Sequence, residues 1–122
     1  MDDPKLEIEG YQVTVMQGQY TVDGHPTAAA TEYVLQLIGL LDQMRDFAAI
    51  EYLPLYNDSW REEDAPTLTR EEFMSRLTNP LIVLYDELGA AAIYFDDSDM
   101  FAGHAIEVSV ESGQIVDASL VG

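Results

Sequence analysis

The last third of the chain decides the fold, and it reads LIVLYDELGAAAIYFDDSDMFAGHAIEVSVESGQIVDASL over residues 81–120. Short segments rich in β-branched, aromatic and alternating apolar residues are separated here by clusters of turn-forming residues. The pattern predicts four consecutive strands, over residues 81–85, 91–95, 105–110 and 114–120. Each connection contains a glycine able to adopt a positive φ, so we expect the four strands to form a meander.

The amino-terminal segment has a strand periodicity as well. Apolar residues alternate with polar ones between residues 6 and 22, as in the run YQVTV over residues 11–15. Gln17-Gly18 interrupts the alternation, which resumes at Tyr20 and Val22. This segment therefore predicts a β-hairpin.

Helical periodicity dominates the middle of the chain. The turn-forming run DGHP over residues 23–26 precedes Thr27, whose hydroxyl is suited to cap a helix. The apolar residues that follow recur at spacings of three and four, which predicts an amphipathic helix packed on a core. They are Ala30, Val34, Leu37, Ile38, Leu41 and Met44. Pro54 cannot donate a helical backbone hydrogen bond, so we expect a kink or a break with a second short helix near it.

Two further features lie between this helix and the meander. Residues 60–68 are rich in charge and lack an apolar period, which predicts an exposed loop. Thr69 and Glu72 match a capping box, in which each side chain accepts a hydrogen bond from the other residue's backbone N–H, so a short helix is expected to begin there. Its inward-facing residues are Phe73, Met74 and Leu77.

Together these segments predict the α+β class. Because helices are gathered in the middle and strands at the end, we expect an antiparallel sheet with the helices packed on one face. The sheet would combine the amino-terminal hairpin with the four-stranded carboxyl-terminal meander. At 122 residues the chain has the size of one domain, covering residues 1–122.

Composition excludes several functional classes. The chain has 23 Asp and Glu against 5 Lys and Arg, a net charge of -18, which disfavours binding to nucleic acids and anionic membranes. The absence of cysteine excludes a disulfide framework and a thiolate metal site. No targeting segment or apolar run of membrane-spanning length is present, so we expect a cytoplasmic protein. No phosphate-binding glycine motif or serine-nucleophile motif occurs, so we expect neither an enzyme nor a bound cofactor.

The distribution of charge is more informative than any motif. The 46 residues after Arg76 contain 8 acidic residues and no Lys or Arg. The field of the carboxyl-terminal sheet therefore lacks an internal cation, and it is suited either to solubility or to steering a basic partner.

The acidic segment over residues 96–104 contains candidate metal ligands and a candidate general base. Asp96, Asp97, Asp99 and His104 could converge on a divalent cation at a hairpin mouth. The segment lacks the glycine and the final glutamate of an EF-hand loop, so we favour a turn held by side chain to backbone hydrogen bonds. His104 is a candidate general base, but we favour a half-buried imidazole bonded to the loop backbone.

The carboxyl-terminal half carries a family resemblance over about residues 56–122. Its pieces are Tyr56-Asn57-Asp58-Ser59-Trp60, Leu68-Thr69-x-x-Glu72-Phe73, Leu84-Tyr85-Asp86, Ile93-Tyr94-Phe95-Asp96-Asp97, Met100-Phe101-x-Gly103-His104-x-Ile106-x-Val108 and Gly122. The series resembles a family of small acidic bacterial proteins of unknown function. Such proteins look similar to the immunity proteins of polymorphic or contact-dependent toxin systems. The resemblance implies a bacterial cytoplasmic binding protein.

Charge and resemblance together predict a non-catalytic immunity protein that binds a cognate basic toxin. Two alternatives stay open at this point: a metal-binding protein or metal-dependent enzyme using residues 96–104, and a nucleic-acid mimic that inhibits a DNA- or RNA-binding protein. The candidate partner contacts lie in the two acidic loops, with aromatic anchors beside them. They are Trp60, Glu62, Glu63, Asp64, Asp96, Asp97, Asp99 and Phe101.

Overall fold

The described part of the protein has two layers, a six-stranded sheet and a helical layer on one of its faces. The structure is a computed structural model that describes residues 5–15, 21–22, 25–85 and 90–121. Its strands are β1 (Lys5–Ile8), β2 (Tyr11–Val15), β3 (Thr21–Val22), β4 (His25–Pro26), β5 (Thr78–Leu84), β6 (Ala90–Asp96), β7 (Ala105–Glu111) and β8 (Gln114–Val121). Its helices are α1 (Ala28–Gly39), α2 (Leu41–Leu55) and α3 (Arg70–Ser75). The predicted α+β class is confirmed.

The sheet has the strand order β1-β2-β5-β6-β7-β8. Strands β5 to β8 form the predicted meander, in which every neighbour is antiparallel. One pairing differs from the expectation of an antiparallel sheet, since β2 and β5 run parallel. The reason is that the helices lie between these two strands in the chain, and a crossover of that length allows the chain to return in the same direction.

The amino-terminal hairpin is also confirmed, and its turn lies earlier in the chain than the interruption at Gln17-Gly18. Strands β1 and β2 pair directly up to Ile8 and Tyr11, so Glu9 and Gly10 form the turn. Both have the positive φ that a two-residue hairpin connection requires, 53° and 82°. Gln17, Gly18 and Tyr20 lie outside the described residues. Val22 belongs to a separate two-stranded ribbon, β3–β4.

The helices begin where the capping residues predict. The Thr27 hydroxyl accepts a hydrogen bond from the Ala30 N–H at 3.0 Å. The predicted apolar stripe is buried, except for the half-buried Ile38, and it continues across a break at Leu40 between α1 and α2. Pro54 does not interrupt α2. The irregularity follows it, as a π-helical turn over Tyr56–Trp60 closed by the Arg61 N–H and the Tyr56 carbonyl at 2.7 Å.

The core lies between the helices and one face of the sheet. All six strands of the main sheet contribute residues to it, and the buried positions alternate along the strands as the pleat requires. One row across the sheet shows the register: Val13, Ile82, Ile93, Val108 and Ala118. The residues between these positions face away from the helices and form what we call the open face.

The capping box at the start of α3 is formed as predicted. The Thr69 hydroxyl accepts from the Glu72 N–H at 3.2 Å, and the Glu72 carboxylate accepts from the Thr69 N–H at 2.9 Å. These hydrogen bonds favour the ionised carboxylate and hold the pKa of Glu72 below its ordinary value of 4.5.

This capping box gives a prediction for acid stability. A lowered pKa in the folded state contributes stability above pH 4.5, and that contribution is lost as the pH falls through the folded pKa. Glutamine also completes a capping box but does not ionise. We therefore expect Glu72→Gln to melt below the wild type at pH 7, with the gap closing as the pH falls below 4.5. Thermal melts of both proteins from pH 7 to pH 3 measure the gap, and a gap that widens in acid contradicts the assignment.

Candidate functional site

An aromatic cluster joins the end of the helical layer to the β6–β7 connection. Phe101 lies at its centre with no exposed surface, although the sequence suggested it as an exposed anchor for a partner. Four rings contact it edge to face at centroid distances of 5.5 to 6.3 Å. They belong to Tyr52, Tyr56, Trp60 and Phe73. The Phe101 assignment is therefore corrected: the ring fixes the loop onto the core and offers no contact surface.

Asp97 is likewise a structural residue. It is the one charged residue among the described ones that is buried, at 3% exposure. Its carboxylate accepts hydrogen bonds from two backbone N–H groups of its own loop, Asp99 at 2.9 Å and Phe101 at 2.8 Å. The predicted side chain to backbone turn is confirmed here, and Asp97 is removed from the set of surface contacts.

The remaining polar residues of the loop point to different partners. Asp96 is exposed and accepts a hydrogen bond from the Asn79 side-chain amide at 2.9 Å. Asp99 is exposed. The His104 Nδ1 lies 2.5 Å from the Phe101 carbonyl, which only accepts, so this nitrogen carries a proton. The interpretation of His104 as a half-buried residue bonded to the loop is confirmed.

These positions do not create a cation site. Residues 96–99 and 103–105 line a shallow pocket of about 280 Å³. The Asp97 carboxylate is occupied by the loop backbone, and in the described parts of the chain no three carboxylate or imidazole groups converge in a way that would hold a metal ion. The geometry therefore gives the metal-binding alternative no support.

The second acidic loop, residues 60–68, is held in shape by hydrogen bonds to its own backbone. The Arg61 guanidinium donates to backbone carbonyls of its own loop, those of Glu62 and Ala65. Asn57 exchanges two hydrogen bonds with the Leu68 backbone, at 3.0 and 3.2 Å. This closure leaves three carboxylates on the outside, and all three are exposed as the sequence predicts. They are Glu62, Glu63 and Asp64.

Trp60 connects the two loops. Its ring contacts Phe101 at 5.5 Å and His104 at 5.9 Å, both edge to face, and 39% of the residue is exposed. It is therefore both a cover for the aromatic cluster and an accessible aromatic surface. Of the eight predicted contacts, six remain at the surface, and Trp60 brings the start of one loop against the other. These six are Trp60, Glu62, Glu63, Asp64, Asp96 and Asp99.

The open face carries a cluster that the sequence analysis did not single out. Tyr94 on β6 lies directly opposite Glu107 on β7, and its hydroxyl bonds to that carboxylate and to the Tyr85 hydroxyl. The hydrogen bond to Glu107, followed by partial burial, raises the pKa of Tyr94 far above its ordinary value. The sequence signal for this cluster is the alternation of apolar and polar residues along β6 and β7, because it places Tyr94 and Glu107 outside the core face.

A model of the family described as uncharacterized proteins conserved in bacteria, DUF2262, matches residues 10–120. The chain belongs to this family. No curated protein and no solved structure matches it. The DUF2262 match supports the bacterial origin and the unknown function implied by the sequence resemblance, and it covers both acidic loops and every strand of the open face except β1.

Three of the four described arginines of this DUF2262 protein are engaged within the chain. Arg45 contacts Asp42 at 3.2 Å, the Leu77 carbonyl at 3.0 Å and the Phe95 ring. Arg70 pairs with Asp46. Among the described residues these are the two ion pairs, so most of the exposed carboxylates have no cation within bonding distance.

None of the described helices is both long enough and apolar enough to cross a bilayer.

Proposed function

We propose that this DUF2262 protein is a non-catalytic immunity protein that neutralises a cognate basic toxin domain by direct binding in the bacterial cytoplasm. The observation that carries the proposal is the uncompensated negative surface. The net charge is -18, and within the described residues the arginines with partners are bound to backbone carbonyls, an aromatic ring and two carboxylates. A surface of this kind attracts cationic proteins over long range and accelerates their association.

The two acidic loops support a protein partner over a small ligand. Five exposed carboxylates flank the one tryptophan of the chain, and the pocket beside them is shallow. Tryptophan at the centre of a charged rim is a typical arrangement of a protein interface. The closure of the central loop by Arg61 and Asn57 holds this surface in place before binding, which reduces the entropy lost on association.

The decisive experiment is recovery of the partner in its native genetic context. The tagged protein, expressed with its neighbouring genes, is expected to copurify with a basic protein encoded beside it and to abolish that protein's toxicity. Recovery of no basic neighbour, or recovery without protection of the cells, contradicts the proposal. Competition by duplex DNA for the same partner would instead identify a nucleic-acid mimic.

Salt provides a test on the free protein. The carboxyl-terminal sheet has 8 acidic residues after Arg76 and no Lys or Arg, so repulsion within it is screened when the Debye length falls from about 30 Å at 0.01 M to about 3 Å at 1 M. We expect the melting temperature to rise with sodium chloride. The complex with the basic partner should weaken over the same range. A free protein that loses stability as salt rises would show that favourable local pairs dominate its surface, against the argument for an external cation.

A further inference from the structure

Within the described ranges no helix covers the open face of the sheet, which has an apolar centre and an acidic border. In the described residues the helices pack on the opposite face, and this one carries Leu81 and Val83 of β5 only half-buried. The residues in register with them across the sheet are half-buried or exposed except for Ala92. They include Gln12, Thr14, Tyr94, Glu107, Ser109, Asp117 and Ser119.

Two tyrosines lie flat across the centre of this face. Tyr94 is opposite Leu81, and Tyr85 is four residues beyond Leu81, so their Cα atoms are separated by about 13 Å along the strand direction. Their hydroxyls nevertheless share a hydrogen bond, which requires the rings to lean toward each other over Val83 and Ala92. This explains why Ala92 is 1% exposed although it takes no part in the core beneath the helices.

The charge around the tyrosines is negative. Five carboxylates of the described residues belong to the open face by strand register. They are Glu7, Asp96, Glu107, Glu111 and Asp117. A second copy of the chain would bring like charges together across a symmetric contact, so the face is unsuited to self-association.

We propose that the open face is the docking surface for an arginine-bearing segment of the basic partner, with a guanidinium seated between the Tyr94 ring and the Glu107 carboxylate. The inference rests on the proposed function. It adds which surface of this protein and which side chain of the partner are in contact. A guanidinium is planar, stacks on tyrosine and bonds carboxylates with two parallel N–H groups, which an ammonium does not. The Tyr94 hydroxyl occupies one lone pair of Glu107 and holds the carboxylate in place, and the other lone pairs accept the guanidinium.

The first experiment uses nona-arginine and nona-lysine as probes with the full chain at low ionic strength. Amide NMR titration is expected to place the largest nona-arginine shifts on β6 and β7 around Tyr94 and Glu107, and nona-lysine is expected to bind more weakly. Shifts centred on residues 62–64 and 97–99, or equal binding of the two peptides, would overturn the proposal.

Matched single-charge variants separate the specific contact from the general field. Glu107→Gln keeps an acceptor for Tyr94 and is expected to weaken nona-arginine binding about tenfold. Glu63→Gln removes one exposed charge from the central loop and should cost less than about twofold. If Glu107→Gln and Glu63→Gln reduce the affinity for nona-arginine equally, the guanidinium does not bind at Glu107. Tyr94→Phe keeps the ring but removes the hydroxyl that holds the Glu107 carboxylate, so it should weaken the binding of nona-arginine more than that of nona-lysine. Melting curves confirm that each variant is folded.

The native partner distinguishes failure of this inference from failure of the proposed function. If the neighbour-encoded basic protein binds with wild-type affinity to Glu107→Gln but poorly to variants of residues 62–64, the function stands and the open-face site is wrong. If the peptide data hold but no basic partner protects the cells, the site stands as an arginine-binding surface and the immunity function is wrong.

Discussion

Phe101→Ala is expected to lower the melting temperature by about 15 °C or more, the largest effect of any single truncation that we predict. The ring has no exposed surface and contacts four other aromatic rings edge to face. Truncating a buried phenylalanine lowers the free energy of unfolding by about 3 to 5 kcal/mol. The loss of each edge-to-face ring contact adds to the cost of the cavity. Domains of this size lose about 4 °C per kcal/mol. Thermal or urea unfolding measures the loss.

Two controls separate ring contacts from lost volume. Phe101→Leu keeps much of the apolar volume but removes the edge contacts, and it is expected to fall between the wild type and Phe101→Ala. Phe47→Ala truncates a half-buried ring of α2 outside this cluster and should cost less. If Phe101→Ala melts within about 5 °C of the wild type, the ring is not the centre of the cluster's stability.

Asp97→Ala is expected to cost about 3 kcal/mol of unfolding free energy. Two backbone N–H groups that bond the carboxylate at 2.8 and 2.9 Å would lose their acceptor, one of them buried. The loop also depends on left-handed backbone at Ser98, Asp99 and Ala102, with φ between 49° and 63°, which these hydrogen bonds help to stabilise. Equilibrium urea denaturation gives the free energy directly.

The matched comparison is Asp99→Asn, two positions away and exposed. It removes a charge from the same loop, keeps a residue that tolerates the left-handed backbone, and is expected to change the free energy of unfolding by less than about 0.5 kcal/mol. Asp97→Asn retains one oxygen acceptor and should be intermediate between the wild type and Asp97→Ala. Equal losses for Asp97→Ala and Asp99→Asn would show that the loop is held by charge and not by the Asp97 hydrogen bonds.

The fold was predictable where a local signal has one physical cause. Alternation over residues 81–120 predicted the meander, and Thr69 with Glu72 predicted the start of α3, because a pleat and a capping box depend on neighbouring residues. The Glu9–Gly10 turn was missed because Gln17-Gly18 was the stronger-looking break in a longer alternating run. The parallel pairing of β2 with β5 was missed because it joins residues far apart in the chain.

Predictions for the candidate site were likewise correct where they depended on a local pattern and wrong where they depended on distant contacts. Exposure of Glu62, Glu63 and Asp64 was predicted correctly, since charged residues without an apolar period remain at the surface. Phe101 and Asp97 were assigned to that surface because the residues around them are acidic, yet the loop folds inward at both positions. Burial of a loop residue depends on the tertiary contacts beneath it, here the rings brought by α2 and α3, and single-sequence patterns do not report those contacts.

The contact between α2 and β8 has a consequence for self-association. The Tyr52 hydroxyl donates to the Ala118 carbonyl and accepts from the Leu120 N–H, both at 3.1 Å. β8 is one of the two outer strands of the sheet, and these are groups that an added strand would use to extend it. The extra residue beside them, Val116, disrupts the register with β7. Tyr52 and this bulge therefore protect the β8 edge against strand addition, a hazard that negative charge alone does not remove once salt screens it.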